Sequence, residues 1–286
     1  MSSATGDPDG TSMSGAPLLV DVVGGLARLT LNRPKRMNAF DSELAQQWAR
    51  VTTEIVARDD VKAIVVDAAG PAFCAGGDVL SMDQQMGSGA ELTTLATVIN
   101  TGIRALTQST IPVVAAAHGT TAGGGLGILL SSDYAVVGAN SKIGSLYANI
   151  GLTPDLSVSA HLARAVGERR ALQLVLQDRM LTAPEALEWG LVAEVVEGED
   201  AAATADAVRA RADEIARFWI DGAARAYGQA KRIVREDRDR TFAAQLTTEA
   251  HTIGAAFDTP DAQARIAAFA AASARRSQPS APPQET

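Results

Sequence analysis

The sequence predicts an α/β fold with a helical C-terminal region. Three observations carry this. Short apolar runs of strand length alternate with segments of helical period, glycine clusters mark the junctions, and strand signals stop at about residue 201. Leu18 to Val23 and Leu26 to Leu31 flank Gly24-Gly25 and read as a hairpin. Between Asp41 and Arg58, Leu44, Trp48, Val51 and Ile55 fall on one stripe of a helix. Ala63 to Ala68 and Pro112 to Ala117 are short, mainly apolar runs, which suits buried strands. Leu92, Leu95, Ile99, Ile103 and Leu106 mark a helix between them. After the second run the chain reads as a turn from His118 to Gly125, a helix from Leu126 to Ser132 and a strand from Tyr134 to Val137. Beyond Ala201, Ala-rich helical segments include Phe242 to Phe257 and Asp261 to Arg275, and such helices permit the close approach used in oligomers.

Composition narrows the function. The chain has 286 residues, 47% of them hydrophobic, enough for a large core without disulfides or metal. Its single cysteine, Cys74, excludes an intrachain disulfide and a multi-thiolate metal site, so a reducing, cytoplasmic setting is expected. A net charge of −8 argues against nucleic acid and anionic lipid as partners. Met1 to Pro17 lacks the pattern of a secretory signal, and no apolar run approaches the ~20 residues of a membrane span. Both ends, 1–17 and 277–286, read as disordered tails. The three histidines, His118, His161 and His251, have no metal-ligand spacing, and no metal is expected.

Two glycine-rich loops follow buried strands: Phe73-Cys74-Ala75-Gly76-Gly77-Asp78 and Ala122-Gly123-Gly124-Gly125-Leu126-Gly127. Each can present free backbone N–H groups to an anion, although packing alone can also require glycine there. Neither matches a phosphate-binding loop or a dinucleotide fingerprint. These loops, together with Leu31 to Phe40, His118-Gly119, Asp133 and the stretch Leu181-Thr182-Ala183 to Gly190-Leu191-Val192, resemble the crotonase (enoyl-CoA hydratase/isomerase) superfamily from about Leu18 to Arg275.

The resemblance implies a crotonase-like ββα spiral at 18–200 and a helical trimerisation region at 201–276, giving a homotrimer or hexamer. It implies an acyl-CoA thioester substrate, with CoA as part of the substrate and no separate cofactor. It assigns the backbone N–H groups of Ala75 and Gly124 to the thioester carbonyl, and Arg33, Arg36, Ala39, Gly77 and Asp78 to CoA binding. Arg33, Lys35 and Arg36 would supply local positive charge; the plain alternative is a solvated basic turn. Near the C-terminus the family's usual basic residue is replaced by alanine, which implies CoA phosphate contacts that are either weaker or supplied by Arg275 and Arg276.

The residues also separate this chain from typical hydratases of the superfamily. Those use two glutamates, and the matching positions hold Gly127 and Tyr147. Glycine offers no acid or base, and a phenol of pKa ~10 is a poor base near neutrality. Asp155, in Gly151-Leu152-Thr153-Pro154-Asp155, resembles the proton-carrying aspartate of ring-epoxide and enoyl-CoA isomerases. It also resembles the nucleophile of chlorobenzoyl-CoA dehalogenases, but Asn100 stands near the place of their assisting histidine. A different reading makes Thr153 an N-cap, Pro154 the first helical residue and Asp155 a favourable charge in the first turn. Tyr147 is expected either to line the acyl pocket and donate a hydrogen bond or to be a half-buried core aromatic. Double-bond isomerisation with Asp155 as proton carrier is the leading expectation, and atypical hydration or binding without catalysis are the alternatives.

Overall fold

The computed structural model describes residues 15–177, 179–236 and 240–276. Strands β1 (Leu18–Val23) and β2 (Leu26–Leu31) form the expected hairpin, with Gly24 and Gly25 both in the left-handed region. Helix α1 (Ser42–Val56) starts at Asp41, whose side chain accepts from the Leu44 N–H. Then come β3 (Ala63–Ala68), α2 (Val79–Gln85), α3 (Gly89–Gln108) and β4 (Val113–Ala117). The glycine-rich stretch holds β5 (Thr120–Ala122) and α4 (Gly124–Leu130), followed by β6 (Tyr134–Gly138) and β7 (Lys142–Gly144). Next are α5 (Val158–Val166), α6 (Glu168–Val175), β8 (Met180–Thr182), α7 (Ala183–Glu188) and β9 (Glu194–Val196). Four longer helices end the chain: α8 (Ala201–Asp221), α9 (Ala224–Glu236), α10 (Phe242–Phe257) and α11 (Pro260–Arg276).

The strands form a six-stranded sheet, ordered β1-β2-β3-β4-β6-β9, and a three-stranded sheet, β5-β7-β8. Alternation along β3 and β4 divides the larger sheet into two packing faces. Ile64, Val66, Val113 and Ala115 pack with Leu44, Trp48 and Ile103 of α1 and α3, whereas Val65, Val114 and Ala116 pack with Val208, Ala212 and Ile215 of α8. Both faces are covered, which is why these strands carry no polar alternation. α8 opens the helical region expected from residue 201 and covers the second face of the sheet.

The expected N-terminal tail was drawn too long. Ala16 is buried, its carbonyl accepts from Asn32 Nδ2 at 2.9 Å, and the Pro17 carbonyl accepts from the Asn32 N–H at 2.8 Å. Residues 1–14 and 277–286 lie outside the described residues, as do the side chains of Arg275 and Arg276. Among the described residues, no helix is long and apolar enough to cross a membrane.

Candidate active site

The two glycine-rich loops meet. Cys74 bridges Thr121 of β5, with the Ala122 N–H donating to the Cys74 carbonyl at 2.9 Å. On its other side the first loop is tied to residues 37–40: the Phe40 N–H donates to the Gly76 carbonyl at 2.8 Å and the Asp78 N–H to the Phe40 carbonyl at 2.9 Å. A role for Asn38 was not legible in the sequence. It is fully buried with φ of 56°; its Nδ2 donates to the Ala69 and Ala72 carbonyls at 2.8 and 2.7 Å, and its Oδ1 accepts from the Arg33 N–H at 2.7 Å. The only signal was its residue type, since asparagine tolerates the left-handed region that this turn needs.

Gly124 is the first residue of α4, so its N–H has no carbonyl one helical turn behind it. Ala75 differs from the expectation. Its N–H donates to the Met37 carbonyl at 3.0 Å, because Met37 and Asn38 both take left-handed φ values and turn that carbonyl onto the loop. A thioester oxygen at Ala75 would share this hydrogen with Met37.

Ala75, Gly123 and Gly124 form one wall of a cavity of about 480 Å³. Aliphatic residues of α2 and α3, among them Met82, Leu95 and Ile99, form another wall, and Tyr147, Leu152, Asp155 and Leu156 close it. Two larger grooves, of about 590 and 600 Å³, lie among α9–α11 and between α4 and α9, but neither includes the glycine-rich loops or Asp155. Asn100 is not among the cavity's lining residues.

Asp155 is not at a helix start. α5 begins at Val158 after Ser157, and the Asp155 carboxylate caps nothing; its Oδ1 accepts from the Tyr147 hydroxyl at 2.6 Å. The reading with Thr153 as N-cap is therefore corrected. Local residue preference is overridden by Leu156 and Ser157, whose φ values of 47° and 69° delay the helix. Burial raises the Asp155 pKa from its ordinary value, partly offset by the Tyr147 hydrogen bond. Burial, then the neighbouring carboxylate, pushes Tyr147 far up, so the phenol stays protonated and acts as a donor. Burial also lifts Cys74 to about 12 and leaves it a neutral thiol, donating to the Asn38 carbonyl at 3.2 Å. His118 is buried and held neutral by desolvation, with Nε2 2.6 Å from the Gly70 carbonyl.

The residues assigned to CoA come together around one carboxylate. Asp78 pairs with Arg33 at 3.0 Å and Arg36 at 2.6 Å, Arg33 also reaches Asp41 at 2.6 Å and the Ala39 carbonyl, and Gly77 lies on the cavity wall. Two guanidinium groups thus face two carboxylates. The expected excess of positive charge from Arg33 and Arg36 is largely cancelled, and a phosphate would compete with Asp78 for both. Burial alone would raise the Asp78 pKa, but Arg36, the Ser81 N–H and Arg33 outweigh it and bring it to about 2. The unfolded value is ~3.9, so ionised Asp78 supplies on the order of 2 kcal/mol that is complete above about pH 4 and is lost as pH falls toward 2. Asp78→Asn is accordingly expected to lower stability in urea unfolding at pH 7, with the gap from wild type closing by about pH 2.

Mostly parallel strands in two sheets, with two glycine-rich turns converging on one cavity, define the chain as a crotonase-fold enzyme. It belongs to the enoyl-CoA hydratase/isomerase family, whose profile matches residues 21–275. It is similar to 1,2-epoxyphenylacetyl-CoA isomerase of Escherichia coli K12, at 29% identity over 256 residues, 89% of this chain and 95% of the relative. It is also similar to short-chain-enoyl-CoA hydratase of Clostridium acetobutylicum, at 30% identity over 253 residues, 88% of this chain and 94% of the relative. The 1.8 Å crystal structure of enoyl-CoA hydratase from Bacillus anthracis shares the fold with a TM-score of 0.82 at 24% identity, covering 88% of this chain and 95% of that one.

Proposed function

We propose that this enzyme moves the double bond of an enoyl-CoA thioester through a thioester enolate, with Asp155 as the proton carrier. The observation that supports it is the Asp155 carboxylate, held by Tyr147 in the cavity that Gly124 also lines. Asp155 takes a proton from Cα of a 3-enoyl thioester, the electron pair delocalises onto the thioester oxygen, and the same carboxyl returns the proton to Cγ. The Gly124 N–H, with the Ala75 N–H shared by Met37, stabilises the negative oxygen. Tyr147 fixes one carboxylate oxygen and leaves the other for substrate.

Hydration would need a group to activate water and another to protonate carbon. Gly127 supplies neither, and the raised Tyr147 phenol is no base at neutral pH. Conversion of 3-enoyl-CoA to 2-enoyl-CoA, followed beside hydration of crotonyl-CoA, tests the reading. Isomerisation should exceed hydration by at least the ~10² of one general acid–base group, and hydration as the faster reaction would overturn the proposal. We also propose that the enzyme is cytoplasmic and assembles as a homotrimer or hexamer. The exposed Phe242, Ile253, Phe257 and Phe269 of α10 and α11 favour self-association.

A further inference from the structure

We infer that Gly127 is a positioning residue for Asp155: its bare face on α4 seats the Leu156 carbonyl and thereby holds the preceding carboxylate in the cavity. This rests on the reading of Asp155 as the proton carrier. Gly124 and Gly127 are three residues apart on α4 and so share one face of the helix. Leu156 lies across both. A Cβ on Gly127 would stand 2.1 Å from the Leu156 carbonyl oxygen and 2.9 Å from its Cβ, and one on Gly124 would stand 2.7 Å from Leu156 Cδ1. At position 127 the obstacle is backbone, so no side chain fits unless residues 155–157 move away from the helix. Those residues follow an unusual path to reach it: Leu156 is 4% exposed and, like Ser157, takes a left-handed φ, which branched or bulky residues adopt only when packing enforces it.

A side chain at position 127 and a carboxylate projecting from position 155 are therefore mutually exclusive in this chain. Putting a glutamate at 127 would not add a second catalytic group; it would displace the one already present. The glycine thus selects the reaction class without touching substrate.

Gly127→Ala in the full chain tests this, assayed by exchange of the thioester α-proton with deuterated water. Helix α4 is buried along its whole length, whereas residues 152–157 are irregular, so the segment is expected to yield and the chain to fold. The expected result is a fall in kcat of at least ~10²-fold, the scale of a lost acid–base group, with KM changed by less than about threefold. The acid limb of the pH–rate profile should weaken, a change that loose packing alone would not cause. Gly127→Ala combined with Asp155→Asn should be no slower than Asp155→Asn alone, since the glycine acts only through that carboxylate. Should Gly127→Ala not fold, the pair Gly127→Ala, Leu156→Gly is read instead, because glycine accepts the left-handed φ at 156 and frees the segment to shift. Loss of exchange in Asp155→Asn with near wild-type kcat in the folded glycine variant would overturn this inference alone. Retained exchange in Asp155→Asn would overturn the isomerase reading first.

Discussion

Asp155→Asn is expected to remove isomerisation and α-proton exchange, by ~10²–10⁴-fold in kcat, while CoA-thioester affinity stays close to wild type. The amide cannot take a proton, yet its oxygen can still accept from Tyr147, so the local geometry survives. Stability should not fall at neutral pH. Because burial raises the native Asp155 pKa, the ionised carboxylate opposes folding: this group's cost grows as pH rises from the unfolded value of ~3.9 through the native one. Asparagine removes that cost. The wild-type rate should have an acid limb displaced above the ordinary carboxylate pKa, reflecting loss of the ionised base, and the residual rate of the variant should lack it. Stopped-flow isomerisation across pH, with melting temperature as control, checks both halves. Exchange at near wild-type rate in the variant would end the assignment.

Gly124→Val should cost ~10²–10³ in kcat, the scale of one lost oxyanion donor, while affinity for a CoA thioester falls much less, because the contacts to CoA are made by other residues. A Cβ there points at Leu156 Cδ1, the far end of a flexible side chain, so the fold can absorb it while the branched group fills the space above the N–H. Stopped-flow isomerisation reads the loss, and calorimetry with a saturated acyl-CoA reads the affinity that should largely survive it. Near wild-type kcat in the folded variant would remove the oxyanion argument altogether.

Much of the fold was legible because its signals are local. The hairpin around Gly24-Gly25, the α1 stripe and the mainly apolar β3 each carry a pattern that a short window reveals. Strands β5, β7, β8 and β9 have three residues each, too few for any period to register, and β5 was read as part of a turn. The site was less legible than the fold for a different reason. Thr153-Pro154-Asp155 carries a sound helix-start signal, but Leu156 and Ser157 leave helical geometry with left-handed φ values, and Leu156 lies against the bare face of Gly127 in another element, which no local window reveals. Arg33 and Arg36 read as free charge because Asp78, more than forty positions away in sequence, folds between them. That the Ala75 N–H also donates to Met37 was not legible, because nothing in the local sequence reveals that Met37 turns its carbonyl toward it.

The order of strands in the larger sheet has a kinetic consequence. Only β1–β2 pair as a hairpin; the joins β2–β3, β3–β4, β4–β6 and β6–β9 are all parallel, each closing a long intervening stretch of chain. Loop closure of that kind must come before the contacts that repay it, which makes such topologies slow to fold. Ala75, Gly124 and Asp155 sit in three different connections between those strands. None of them has its catalytic neighbours until β4 and β6 are in register. Acyl-CoA can therefore recognise only the completed sheet, and ligand present during refolding should leave the rate of sheet assembly unchanged while slowing unfolding of the finished enzyme.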